Sequence, residues 1–199
     1  MTGEIVVVRT GSANLASVLA ALRRLGAVPR LSADPDELRC ADRLVLPGVG
    51  SFGAASTTLR RAGLADALTD RVRAGAPFLA ICLGLQLLAE GSDESPDAVG
   101  LGVITGRATR LSDTVRVPQL GWNVVTPATD SNVLEAGYAY YANSYALTLP
   151  PDGWRHAMTT HGTPFVAAIS RGAQLACQFH PELSGQWGHD LLTRWWASC

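Results

Sequence analysis

Three short apolar runs, each broken off by a turn, most constrain how this chain can fold. Residues 5–8 are Ile-Val-Val-Val, 44–46 are Leu-Val-Leu before Pro47-Gly48, and 78–82 are Phe-Leu-Ala-Ile-Cys before Leu83-Gly84. Runs this short with no polar alternation suit strands covered on both faces, the setting of a parallel sheet packed between helices. Helical periodicity fills the gaps between them. Leu15, Val18, Leu19, Leu22 and Leu25 recur after Gly11-Ser12 and up to Gly26, a glycine placed to cap a helix. Residues 54–73 read as helical with a break near Gly63, and a helix over 85–90 opens after Gly84. Strand and helix thus alternate through the first half. The second half is richer in strands, expected at 117–125, 139–147, 165–170 and 175–179, before a closing helix from about Gln186. The fold class is α/β: one domain, a mostly parallel sheet flanked by helices, with a smaller antiparallel part late in the chain.

Composition removes whole classes of function. A chain of 199 residues points to one domain, large enough to bury roughly 70% of its unfolded surface. Sixteen basic against seventeen acidic side chains leave a net charge of −1, which excludes a generic basic footprint for nucleic acid. Every basic residue is Arg, so Schiff-base and P-loop lysine mechanisms are excluded. No apolar run approaches the roughly 18 residues of a membrane span. The N-terminus lacks the basic stretch and cleavage site of a secretory signal. Cys40, Cys82, Cys177 and Cys199 show no framework spacing, so free thiols in a reducing cytoplasm are expected.

The sharpest local feature is Ala80-Ile81-Cys82-Leu83-Gly84-Leu85-Gln86. Small residues two before and two after a nucleophile are the spacing of a nucleophile elbow, here where a strand meets a helix. A thiol at such a helix start is favoured as thiolate. The same residues also fit a core cysteine ending an apolar strand. A thiolate needs a base, and the base an orienter. Of His156, His161, His180 and His189, only His180 sits at a strand end with a carboxylate beside it, in Gln178-Phe179-His180-Pro181-Glu182. Glu182 is placed to hold the His180 ring by its far nitrogen. Acyl chemistry also needs oxyanion donors. The Leu83 N–H is one, and the run Pro47-Gly48-Val49-Gly50-Ser51-Phe52-Gly53 can supply another. That run reads equally as a flexible βα turn; a phosphate loop is disfavoured because its spacing matches no phosphate motif. His180 and Glu182 lack a third ligand at metal spacing, so no metal site is expected. Trp195-Trp196 and Tyr138, Tyr140, Tyr141 and Tyr145 read mainly as packing, with some of these aromatics available to face a partner.

P-G-V-G-S-F-G, I-C-L-G-L-Q-L-L and Q-F-H-P-E in that order resemble the class I, triad-type glutamine amidotransferases. G-S-A-N-L-A-S-V at 11–18, V-P-Q-L-G-W-N at 117–123, Y-A-N-S-Y at 141–145 and H-P-E-L-S-G at 180–185 narrow the resemblance. With them the chain is similar to the glutaminase subunits of imidazole glycerol phosphate synthase, from about Ile5 to the final helix. The resemblance implies one flavodoxin-like, type-1 amidotransferase domain over 1–199. It implies Cys82 as nucleophile on glutamine, with His180 as the base oriented by Glu182. Leu83 and the Val49–Gly50 peptide would form the oxyanion hole. Gln86, Glu94 and the backbone of Ser144 and Tyr145 would hold the substrate, Glu94 facing its α-amino group. No metal or organic cofactor is implied. The implied partner is a (β/α)8-barrel cyclase/synthase subunit in a heterodimer, which uses the ammonia in histidine biosynthesis.

The chain departs from that pattern at Gln119 and Asn143, where the family usually has His, and at Leu183, where it usually has Lys or Arg. Arg9 stands where an acidic residue is expected, followed by Thr10. None of these belongs to the triad, and several fall near the expected pocket or partner surface. Two other readings stay open. The chain could be a triad glutaminase feeding a different ammonia-consuming synthase, or an inactive regulatory binding module.

Overall fold

The computed structural model describes residues 3–9, 15–128 and 131–199. The expected turn at Gly11-Ser12, Thr10 and the first part of the 11–18 segment lie outside the described residues. In chain order the first half holds β1 (Glu4–Val8), α1 (Leu15–Arg24), β2 (Val28–Ser32), α2 (Pro35–Cys40), β3 (Leu44–Leu46), α3 (Phe52–Arg61), α4 (Leu64–Arg73), β4 (Phe78–Ile81) and α5 (Leu83–Leu88). Then follow β5 (Gly91–Ser92), β6 (Arg107–Arg110), β7 (Gln119–Pro127), β8 (Gly137–Asn143), β9 (Tyr145–Leu147), β10 (Arg155–His161), β11 (Thr163–Arg171) and β12 (Gln174–Cys177). A 3-10 turn at Pro181–Leu183 leads into α6 (Gly185–Ala197).

Nine strands form one sheet in the order β2-β1-β3-β4-β12-β11-β10-β7-β8. The first five are parallel and the last four antiparallel. A smaller sheet, β5-β6-β9, lies beside it. The apolar runs are continuous because both faces of the parallel part are covered. Ile5 and Val7, Val45, and Leu79 and Ile81 point into a core shared with Val18 and Leu22 of α1 and Leu191 and Trp195 of α6. Val6 and Val8, Leu44 and Leu46, and Phe78 and Ala80 point into the other core, against Leu38, Phe52, Leu68 and Leu88 of α2 to α5.

The expected break near Gly63 is present, and Gly26 and Gly63 both hold positive φ. Several elements differ from the sequence reading. β2 is an additional parallel strand at the sheet edge, where Val28 is exposed and Pro29 interrupts the apolar pattern. β6 and β10 are mostly polar strands without apolar runs. The stretch expected as one strand over 139–147 divides at Ser144. β8 pairs with β7 in the large sheet, whereas β9 pairs with β6 in the small one. The helix expected from Leu85 begins at Leu83, directly after Cys82.

The antiparallel end of the large sheet bends back over the parallel part. His180, just beyond β12, donates its backbone N–H to Tyr140 of β8 at 2.9 Å, in an isolated antiparallel bridge. Ser184 holds the bend closed: its hydroxyl donates to His180 O at 2.6 Å and accepts from Tyr140 N–H at 2.9 Å. Among the described residues no helix is long and apolar enough to cross a membrane.

Candidate active site

Three loops meet where β3, β4 and β12 end, the carboxyl edge at which open α/β sheets place their ligands. The central one is a single residue. Cys82 has φ 53° and ψ −110° and is the one non-glycine residue with positive φ among those described. Such a conformation costs about 1–3 kcal/mol and persists only when its surroundings enforce it. Here Cys82 N–H donates to Cys177 O at 2.7 Å, and Cys82 O accepts from Leu85 N–H at 3.0 Å. Close packing completes the elbow. A Cβ on Gly84 would lie 2.3 Å from Leu46 O, and one on Gly48 would lie 2.6 Å from Gly84 N. Only glycines let the loop after β3 lie against the first turn of α5, carrying Val49 and Gly50 to the thiol.

A cavity of about 330 Å³ opens at this point. Val49, Gly50, Cys82, Leu83, Gln86, Glu94, Ser144, Tyr145 and His180 all line it. The tenth expected residue, Glu182, lies behind the imidazole and lines an adjoining cavity of about 180 Å³. His180 Nδ1 is 2.8 Å from Glu182 Oε1, with the two side chains 8% and 5% exposed. A carboxylate only accepts, so Nδ1 carries a proton and Nε2 is left for the thiol side. Burial works against a charge on the ring, but Cys82 and Glu182 outweigh it and raise the His180 pKa to about 10. The ring is therefore positioned to hold a proton between a sulfur and a carboxylate.

The pocket residues are more committed than the sequence suggests. Gln86 uses its amide nitrogen on Tyr145 O at 2.8 Å and Gln178 Oε1 at 3.0 Å, leaving only its oxygen for a ligand. Glu94 accepts the Phe52 N–H at 2.6 Å, so one carboxylate oxygen caps α3 while the residue faces the cavity. The carbonyls of Ser144 and Tyr145 are engaged by Leu111 N–H and by the amides of Gln86 and Asn143. That segment is left with donors to present.

Gln178 was not singled out from the sequence, yet it is fully buried and donates to Cys82 Sγ at 3.7 Å. In extended chain it shares a face with His180, two residues on, but that spacing alone assigns it no role. Gln119 and Asn143 are register partners on β7 and β8, both buried, and neither side-chain oxygen has a partner among the described residues. Leu183 and Arg9 are exposed, and Leu183 follows Glu182 at the rim of the adjoining cavity. His161 bonds Arg116 O at 2.9 Å, and His189 lies on α6, so neither joins the cavity. All four cysteines are free. Tyr141 is core, whereas Tyr138, with Leu120, Trp122 and Val124, forms an exposed apolar face on β7 and β8.

This is an α/β protein that presents a buried Cys–His–Glu array at the carboxyl edge of parallel strands. The chain belongs to the class-I glutamine amidotransferase family, whose model matches residues 6–197. It is 43% identical over 197 residues to the imidazole glycerol phosphate synthase subunit HisH of Symbiobacterium thermophilum, covering 96% of this chain and 92% of that one. It is 42% identical to the HisH subunit of Methanothermobacter thermautotrophicus, covering 94% of this chain and 95% of that one. The chloroplastic imidazole glycerol phosphate synthase hisHF of Arabidopsis thaliana is 40% identical over 92% of this chain, which spans 32% of that protein. Among solved structures, a glutamine amidotransferase superposes with a TM-score of 0.76 at 21% identity, covering 96% of this chain and 95% of the other. PurLQS from Thermotoga maritima superposes with a TM-score of 0.76 at 17% identity, covering 99% of each chain. At these identities the two structures speak for the fold alone.

Proposed function

We infer that this chain is the glutaminase subunit of an imidazole glycerol phosphate synthase, releasing ammonia from glutamine for a partner subunit. One observation carries the reading: Cys82 at a strained elbow shares a cavity with His180, whose ring is held by Glu182 at 2.8 Å. With the proton on His180, the Cys82 sulfur attacks the side-chain carbonyl carbon of glutamine. The Leu83 N–H, one of the first-turn donors without an intrahelical partner, and the Val49–Gly50 peptide receive the developing oxyanion. The imidazolium gives its proton to the departing nitrogen, ammonia leaves, and a thioester remains. Neutral His180 then takes a proton from water, whose oxygen attacks the thioester, and glutamate and the thiol are released. Glu182 keeps the ring in the tautomer both steps require. Glu94 and the donors of Ser144 and Tyr145 suit the α-amino and α-carboxylate groups of glutamine.

The partner we propose is a (β/α)8-barrel cyclase/synthase in a cytoplasmic heterodimer. The exposed Leu120, Trp122, Val124 and Tyr138 support a docking face there, since Leu120 also lines the mouth of the cavity. Leu183, exposed beside the adjoining cavity, favours an apolar contact in place of an ion pair. The test is glutamate release by the chain alone and with a histidine-pathway barrel plus its nucleotide substrate. Strong stimulation that disappears in Cys82→Ala is expected. Clean alkylation of Cys82 by a glutamine-mimicking reagent without stimulation would point to a glutaminase serving another synthase. Neither activity nor alkylation would leave an inactive module.

A further inference from the structure

The Cys82 sulfur has a neighbour that the triad does not account for. Gln178 is 0% exposed, sits immediately after β12 and has its backbone fixed by Gln178 N–H donating to Ala167 O at 2.8 Å. Its amide lies between the Gln86 amide and the Cys82 sulfur. Gln86 Nε2 donates to Gln178 Oε1 at 3.0 Å, and Gln178 Nε2 lies 3.7 Å from Cys82 Sγ. Which end of each amide faces which neighbour is a matter of hydrogen-bond logic. A backbone carbonyl can only accept, and Tyr145 O lies 2.8 Å from the Gln86 amide, so a nitrogen must stand there. The same nitrogen faces Gln178, so Gln178 must turn its oxygen towards Gln86 and its nitrogen towards the sulfur. Reversing both amides would set the Gln86 oxygen against the Tyr145 carbonyl. The polarity of the whole chain is thus set by one peptide group on β9. Cys82 receives a donor, and a donor aimed at sulfur favours its ionised form.

We propose that Gln178 is a positioning residue that donates an N–H to the Cys82 sulfur and favours the thiolate, with Gln86 and the Tyr145 carbonyl fixing the direction of the relay. The inference rests on the reading of Cys82 as nucleophile. It also gives Gln86 a second task beside holding substrate, because both of its amide hydrogens are spent inside the protein and only its oxygen is left for a ligand. A relay of neutral amides does what a nearby cation would do, without placing a second positive charge beside the protonated His180. The titratable groups around Cys82 are His180 with Glu182 behind it, Glu94 across the cavity, and Cys177, whose thiol burial pushes well up. None of them belongs to the relay, so its removal should act on the sulfur.

The experiment is the rate of iodoacetamide alkylation at Cys82 of the full chain as a function of pH, followed by mass spectrometry of the Cys82 peptide. Gln178→Met keeps length and volume but has no donor. Gln178→Glu keeps an acceptor for Gln86 and turns an oxygen to the sulfur. Gln86→Met removes the amide that passes the polarity of the Tyr145 carbonyl on to Gln178. Gln178→Met is expected to displace the profile by about one pH unit to the alkaline side, a roughly tenfold slower reaction on its rising limb. The rates should converge at high pH. Gln178→Glu should move the profile further the same way, and Gln86→Met less far. Superimposable profiles for wild type and the Gln178 variants, or a constant ratio at every pH, would overturn the proposal and leave the glutaminase reading intact. A wild-type Cys82 that no alkylator reaches would instead remove the nucleophile assignment on which both rest.

Discussion

The two halves of the nine-stranded sheet are built on different terms. In the parallel half, β3, β4 and β12 are buried at every position, because helices cover both faces. In the antiparallel half, β7 alternates buried with open positions, and its outward side chains include Leu120, Trp122 and Val124. The proposed nucleophile, Cys82, stands at the end of this fully covered half. The open half bends back to supply Ala142, Asn143 and the Tyr140 carbonyl that fixes His180. Two-sided burial lets the parallel half enforce a strained Cys82. One-sided burial at β7 and β8 leaves that end of the antiparallel half with apolar surface that its own chain does not cover. The lesson is a division of labour within one sheet: the first half holds chemistry in place and the second faces outward.

The two halves should respond differently to substitution. The largest expected effect is on turnover. Cys82→Ala should lower glutamate release on the order of 10⁴-fold or more while leaving the circular dichroism spectrum and partner binding unchanged. Appreciable residual hydrolysis would place the nucleophile elsewhere. Next comes the fully covered half, where Phe78→Ala should cost about 3–5 kcal/mol in denaturant unfolding. Gly84→Ala drives a methyl into the Leu46 carbonyl. We expect about 1–3 kcal/mol of destabilisation, with glutaminase activity falling by more than stability explains because the elbow must shift.

On the open half the expectation reverses. Trp122→Ala should change the stability of the isolated chain by no more than about 0.5 kcal/mol. It should weaken partner binding by about 2 kcal/mol, read as a roughly 30-fold rise in Kd by calorimetry. A Trp122 variant that unfolds the free chain would show that this face is internal to its stability. The smallest effect is in pH. Because the folded His180 pKa is raised, to about 10, its stabilising contribution is complete below its unfolded value of about 6.5. It is lost as pH rises through the folded value. The Tm advantage of wild type over Glu182→Gln should therefore be greatest in mild acid and shrink towards pH 10. An advantage that grew with pH would contradict the protonated ring.

How much of this was legible follows the same division. The runs at β1, β3 and β4 could be read because two-sided burial writes an unbroken apolar string. β2 escaped, since an edge strand with Pro29 and Arg30 carries no such string. β10 escaped because a strand covered on one face, by Ala157 and Thr159, can place His156 and Thr160 on the other. Residues 139–147 looked like one strand because nothing local marks Ser144 as the point where the chain leaves one sheet for another. In the candidate site, the residues that converge, Cys82, His180 and Glu182, stand out from spacing alone, as do the flanking glycines. Gln178 and the spent amide of Gln86 do not, because their meaning lies in partners 92 and 59 residues away.

Local sequence set the local geometry: a turn tight enough for an elbow at Cys82, a Pro-stiffened His180–Glu182 pair, and strands apolar enough to demand cover on both faces. These depend on neighbours a few residues apart, where torsional preferences and side-chain periodicity act. The tertiary structure alone decided that the far edge of the sheet curls back onto His180. It also decided that Gly84 and Gly48 must be bare to admit Leu46 and the loop beyond it, and that a peptide carbonyl on β9 sets which end of Gln178 meets the sulfur. Such facts arise where backbones from distant segments meet, and hydrogen-bond polarity and excluded volume are settled only when both partners are in place.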